Sequence, residues 1–158
     1  MYLLGHVALG YFAGYIVSRV TGERFSVPLI WVVALSPDVD FFIPFLVHRG
    51  STHSLVVALV LFSIYYALFR RGVPYFGALV SHSLIGDYFT SYGCKLFWPV
   101  LTGWYRSSVA IRYNGHFGMS VEIILFMFML LFMARNYIAR ACIFVRSFLR
   151  NILSCIFT

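Results

Sequence analysis

Between Leu35 and Leu55 the chain reads LSPDVDFFIPFLVHRGSTHSL, two aspartates and two histidines set in sequence apolar enough for a bilayer. The stretch constrains the backbone before it says anything about chemistry. Ser36 precedes Pro37, and a residue before proline is pushed out of the α region, so a helix entering from the N-terminal side breaks or kinks there. A break frees backbone carbonyls and lets Asp38 and Asp40 aim at one point. On a continuous helix, residues two apart diverge by about 200° around the axis. After a second apolar run with its own Pro44 come His48, Arg49 and His53. Ser51 or Thr52 is placed to cap the next helix, with His53 in its first turn. Two carboxylates and two imidazoles this close together form the ligand set of a hard-to-borderline divalent ion such as zinc or manganese.

The rest of the chain supplies little charge. Only 11% of residues are charged and 61% are apolar, too few charges to cover the surface of a soluble domain, so the expectation is a single integral membrane unit. The N-terminal MYLLGHVALGYFAG has no basic n-region and no A-x-A-like site, and reads as a retained first helix rather than a signal peptide. The net charge of +7 comes from basic residues scattered between apolar runs, which suits anchoring and orientation and not nucleic-acid binding. Cys94, Cys142 and Cys155 form no CxxC pair and no even disulfide set, and read as apolar filler.

Apolar runs divide the chain into an all-α, polytopic transmembrane helical bundle of about five helices. Residues 2–20 make the first. Residues 26–47 make a second, broken at Pro37, whose first half is about ten residues, or about 15 Å, too short to cross a core of about 30 Å. The DVD turn is therefore expected within the membrane's thickness, buried in protein or facing a wet cavity. Residues 53–69 and 73–91 make the third and fourth. Residues 92–117 mix Trp, Tyr, Lys, Arg, Pro and Gly without periodicity, as a loop on the headgroups does. A fifth helix, 118–134, completes a bundle spanning 1–134, and 135–158, punctuated by Arg135, Arg140, Arg146 and Arg150, forms an interfacial or tilted C-terminal segment. With five crossings, Arg49, Lys95, Arg106 and Arg112 share the N-terminal side against eight basic residues on the other, so the positive-inside rule puts the N-terminus outside.

Threading these helices antiparallel brings nine polar residues into one half of the bundle: His6, Asp38, Asp40, His48, His53, His82, Asp87, His116 and Glu122. Of the five acids and five histidines, only Glu23 falls at the other end. A single histidine such as His6 or His116 has an ordinary packing role, and Asp38 with Asp40 can cap a broken helix or pair with Arg49. A whole set of buried ionisable groups at one end points instead to metal or proton chemistry.

The residues that carry this reading also carry a resemblance. His6 followed by Gly10, then LSPDVD, then HRGSTHSL, then SHSLIGDYFTSYGCKLFWP, in that order and spacing, resembles the YdjM-like family of inner-membrane metal-dependent hydrolases over about the first hundred residues. PDVD with HRGSTHS is the specific part. The resemblance implies a polytopic inner-membrane protein with His6, Asp38, Asp40, His48, His53, His82 and Asp87 at the family's polar positions. One departure stands out. The family places the histidine and aspartate of the fourth helix four apart, about 40° around the axis, whereas His82 and Asp87 are five apart, about 140°, unless a π-bulge near Gly86 realigns them.

The expected function is a membrane-embedded hydrolase holding one or more divalent ions, zinc first, near the outer interface, on a lipid or phosphoester substrate. Asp38 or Asp40 would bridge ions or accept a water's proton, and Arg49 would hold a phosphate or carboxylate. His116 and Glu122 are second-tier candidates. An ion or proton transporter is the alternative, expecting polar residues through to the cytoplasmic half. A purely structural metal, with closed coordination, is the other.

Overall fold

The computed structural model describes residues 3–110 and 115–156, with side chains to residue 147. Arg112 and the side chains of Arg150 and Cys155 lie outside the described residues. All regular structure among the described residues is helical: α1 (Leu3–Thr21), α2 (Val27–Leu35), α3 (Leu55–Phe69), α4 (Val73–Ser81) and α5 (Gly115–Ile156), with 3-10 turns at Ser36–Phe42 and Ser51–His53 and a π turn at His82–Asp87. The chain divides into two compact units, Met1–Phe126 and Met127–Thr158.

In the first unit α1 packs against both α2 and α4, and α2 against α4. Close approach depends on a Gly-xxx-Gly pair, Gly10 and Gly14, where a Cβ would collide with Ala34 and Ile30. Small residues at this spacing let apolar helices meet backbone to backbone, the contact that works without a hydrophobic driving force between helices. At the end away from the polar stretch, Glu23 Oε2 accepts the N–H groups of Gly72 and Val73 at 2.6 and 3.1 Å. It thereby serves donors at the start of α4 that have no partner within the helix.

The expected break is present. α2 stops at Leu35 and the chain tightens into the 3-10 turn carrying Asp38 and Asp40. Pro37 has no N–H to give, and Ser36 Oγ donates to Val33 O at 2.8 Å in its place. The expected cap is one residue set away. Ser54, not Ser51 or Thr52, accepts from Val56 N–H and Val57 N–H, so α3 starts at Leu55 and His53 sits in the 3-10 turn before it. The loop after α4 is pinned to the same stretch: Lys95 N–H donates to Arg49 O at 3.0 Å and Leu55 N–H to Leu96 O at 2.9 Å.

α5 is one helix where a helix ending at 134 and a separate tail were expected. No proline or glycine follows Gly118 to interrupt it. Among the described residues, two helices have the length and composition to cross a membrane, Leu3–Thr21 and Gly115–Ser147. In the second unit the α5 side chains Leu131, Tyr137, Ile138, Phe144 and Val145 are exposed, as is Cys142, against its expected role as filler.

Candidate metal centre

The break after α2, the turn before α3 and the end of α4 bring their polar side chains to one place. Ala34, in the last turn of α2, has a carbonyl left over by the helix end, and His82 Nδ1–H donates to it at 2.6 Å. That bond fixes the His82 tautomer: in the neutral ring, Nε2 keeps its lone pair. His53 is fixed in the same way. Its Nδ1 lies 3.0 Å from Thr52 Oγ1, whose hydroxyl donates on to Asp40 Oδ2 at 2.8 Å. The Nε2 atoms of His53 and His82 then face each other at 3.1 Å.

Asp87 completes the set because α4 changes pitch. Residues His82–Asp87 form a π turn, with Tyr88 N–H bonding to Ser83 O at 2.9 Å, five residues back. The wider turn cancels the rotation that a five-residue spacing would otherwise introduce, so the exception, a π-bulge near Gly86, replaces the divergence of about 140°. Gly86 itself is required there, since a Cβ would lie 2.5 Å from Cε1 of the His6 ring. Asp87 Oδ2 stands 3.1 Å from His53 Nε2 and 3.5 Å from His82 Nε2.

Three acceptor atoms with edges of 3.1, 3.1 and 3.5 Å match one face of a tetrahedron. With ligands 2.0–2.1 Å from zinc, the edge of that tetrahedron is about 3.3–3.4 Å. Two lone pairs and a carboxylate oxygen, all buried and with the ring protons used elsewhere, are a donor set suited to a divalent cation. His53, His82 and Asp87 are fully buried and can hold a metal ion, and Asp38 closes two overlapping groups, with His6 and His82 and with His48 and His53.

The remaining sequence candidates fall into distinct places. Asp38 Oδ1 is 3.4 Å from His53 Nε2 and 3.5 Å from His82 Nε2, and its side chain is 23% exposed, at the rim. Asp40 does not face the same point as Asp38. Its oxygens take His48 Nδ1 at 2.9 Å, Arg49 N–H at 3.0 Å and the Thr52 hydroxyl, which suits orienting neighbours rather than ligating. His6 stacks on His82, centroids 3.6 Å apart, with Nε2 3.7 Å from Asp87 Oδ1. His48 lies against Phe41 and Asp40 on the more open side. Arg49 pairs through its side chain with Asp87, Nη2 to Oδ1 at 3.0 Å, and reaches Asp40 only through its backbone N–H. His116 is exposed, and Glu122 is buried with one oxygen accepting Gly5 N–H at 2.9 Å. Neither belongs to a metal-holding group among the described residues. Cys94 is buried in the loop, where burial pushes its thiol up to about 12, and it belongs to no metal-holding group among the described residues.

Sequence reasoning missed Thr90, which accepts from Arg49 Nη1 at 2.8 Å, the Ala34 carbonyl, and the ring pair Tyr92 and Trp104 beside Arg49. Threonine hydroxyls and backbone oxygens carry no pattern that marks them; the loop's interspersed Trp, Tyr and Arg was the available signal. The family model for the YdjM inner membrane protein matches residues 1–154. No curated protein and no solved structure matches the chain.

Proposed function

Because the chain belongs to the YdjM inner membrane protein family, we propose that it is a polytopic membrane hydrolase holding a divalent ion, zinc by its donor set, on His53, His82 and Asp87. The observation that carries this reading is the triangle of acceptor atoms, two imidazole nitrogens and one carboxylate oxygen, at 3.1–3.5 Å from one another. With Asp38 kept at the rim as a base and not a ligand, these three protein ligands leave a fourth position, as catalytic zinc sites do and structural ones do not. Zinc so bound brings the pKa of water to about 7 and polarises a phosphoryl or carbonyl oxygen.

The chain's own groups complete the chemistry. Asp38, at the rim and facing both imidazoles, takes the proton from the attacking water as the ester bond breaks. Asp40 and Thr52 keep the His53 proton on Nδ1, and Ala34 O keeps that of His82 on Nδ1, so both Nε2 atoms point inward as donors of electron pairs. Arg49 neutralises Asp87 Oδ1 and holds Oδ2 towards the histidines.

Membrane embedding fits the short segments. α3 has 15 residues and exposes Leu59, Val60, Leu61, Ile64 and Leu68; α4 has nine before a six-residue π turn. Each is about 20 Å long, short of a core of about 30 Å, a length compatible with metal residues held beneath one interface. On a five-crossing arrangement the basic residues favour the outer interface, and a lipid or other phosphoester is the substrate proposed there. Elemental analysis of the detergent-purified protein tests the reading. Zinc near one per chain is expected, lost in His53→Ala and Asp87→Asn, while Asp38→Asn keeps its zinc and loses hydrolysis of a chromogenic phosphoester. Wild-type protein that takes up no divalent metal sinks the reading.

A further inference from the structure

An open cleft of about 500 Å³ lined by His48, Arg49, Tyr92 and Trp104 lies beside the metal residues. Resting on the hydrolase reading above, we infer that this cleft is the substrate subsite for a phosphate ester: Arg49 takes phosphate oxygens, and Tyr92 and Trp104 flank the organic group.

Four observations converge on it. First, Arg49 has a left-handed backbone, φ 61°. A long side chain seldom adopts that conformation, and such strain collects where a site demands a fixed geometry. Second, its guanidinium is fixed but not saturated. Nη2 bonds Asp87 and Nη1 bonds Thr90, which leaves one further N–H on each for a ligand.

Third, the geometry selects among anions. Asp87 gives Oδ1 to Arg49 and Oδ2 to the histidine pair, so the fork and the metal position stand one carboxylate apart. A ligand that fills both needs oxygens for the fork and another for the ion. A carboxylate occupying the fork with both oxygens has none left, whereas a tetrahedral phosphate does.

Fourth, the cleft's outer walls are rings. Tyr92 is 67% and Trp104 50% exposed. The Arg49 guanidinium lies 5.3 Å from the Tyr92 ring centre and Lys95 Nζ 5.6 Å from that of Trp104. Exposed rings braced by cations present flat apolar surface to a ligand's organic part and positive charge to its phosphate. The loop bearing both rings is fastened to the Arg49 carbonyl through Lys95 N–H, so wall and fork keep their spacing.

Calorimetric titration of zinc-loaded, detergent-purified full-length protein tests the assignment with three probes: inorganic phosphate, phenylphosphonate and dihexanoyl phosphatidic acid. Wild type binds phenylphosphonate more tightly than phosphate. Trp104→Ala and Tyr92→Ala each weaken it about tenfold, the worth of a lost ring contact, with phosphate affinity and zinc content unchanged. Arg49→Gln weakens all three probes. Tighter binding of the phosphatidic acid than of phenylphosphonate makes the occupant a lipid headgroup; the reverse order makes it a soluble ester. Either order, with the dependence on Trp104, supports the subsite. Zinc-loaded protein that binds no probe, or Trp104→Ala that binds all as wild type does, overturns it and leaves the metal centre standing. Wild type that takes up no divalent metal yet binds phenylphosphonate through Arg49 upholds the subsite and overturns the hydrolase reading instead.

Discussion

Asp40 Oδ2 lies 3.4 Å from Nδ1 of His53, on the opposite edge of the imidazole from the nitrogen that faces His82. One aspartate of the PDVD motif thus addresses the outer edge of the ring, while the other, Asp38, addresses its inner edge at 3.4 Å. The two carboxylates share a histidine from opposite edges; in the proposed reaction Asp40 orients the ring and Asp38 takes the proton.

Asp40→Asn is therefore expected to keep zinc but to bind it about 10–100-fold more weakly, the usual effect of removing a residue that orients a metal-bound histidine. Thr52→Val, which breaks the relay from His53 Nδ1, shifts affinity the same way. Competition with a chromogenic chelator measures both, and full zinc loss in Asp40→Asn would make Asp40 a ligand instead.

Without the proposed metal, two histidine nitrogens face each other at 3.1 Å beside the buried Asp87 carboxylate. Chelation is expected to lower the unfolding temperature in detergent, and added zinc to restore it. The stabilisation is about 2.7 kcal/mol when free zinc is one hundred times its dissociation constant. Differential scanning calorimetry with and without chelator reads the shift; an unmoved transition would mean that nothing is bound.

Gly86→Ala places a methyl 2.5 Å from His6 Cε1 within the π turn that aligns His82 and Asp87. Overpacking of this kind costs about 1–3 kcal/mol, and zinc affinity is expected to fall with it. Shortening the obstacle in His6→Ala/Gly86→Ala should recover part of the stability, a coupling that a double-mutant cycle on thermal unfolding resolves.

Arg49→Gln removes the partner of a carboxylate whose side chain is 1% exposed. Breaking a buried ion pair on one side costs about 3–5 kcal/mol, so the variant should unfold at markedly lower temperature, and Asp87→Asn added to it should recover part of the loss while abolishing zinc binding. Equal stability of Arg49→Gln and wild type would count against the pairing.

The sequence by itself determined the composition of the site and the places where the backbone yields. Pro37 ends α2 because it lacks an N–H, and that places two aspartates in a tight turn. The five-residue spacing of His82 and Asp87 left the two apart unless the helix changed pitch, and the π turn makes that change. Apolar runs marked the helices, since burying a backbone in lipid requires internal hydrogen bonds. Only the tertiary structure decided which of the polar residues converge on one point and which hold the others. Asp40, Asp38 and Asp87 are the same residue type in the sequence, and they differ by what each meets across the fold: three donors around Asp40, the rim around Asp38, and Arg49 with two histidines around Asp87. Such roles rest on contacts between residues tens of positions apart, set by packing between α1, α2 and α4, and a linear pattern does not record which direction a side chain takes once helices meet.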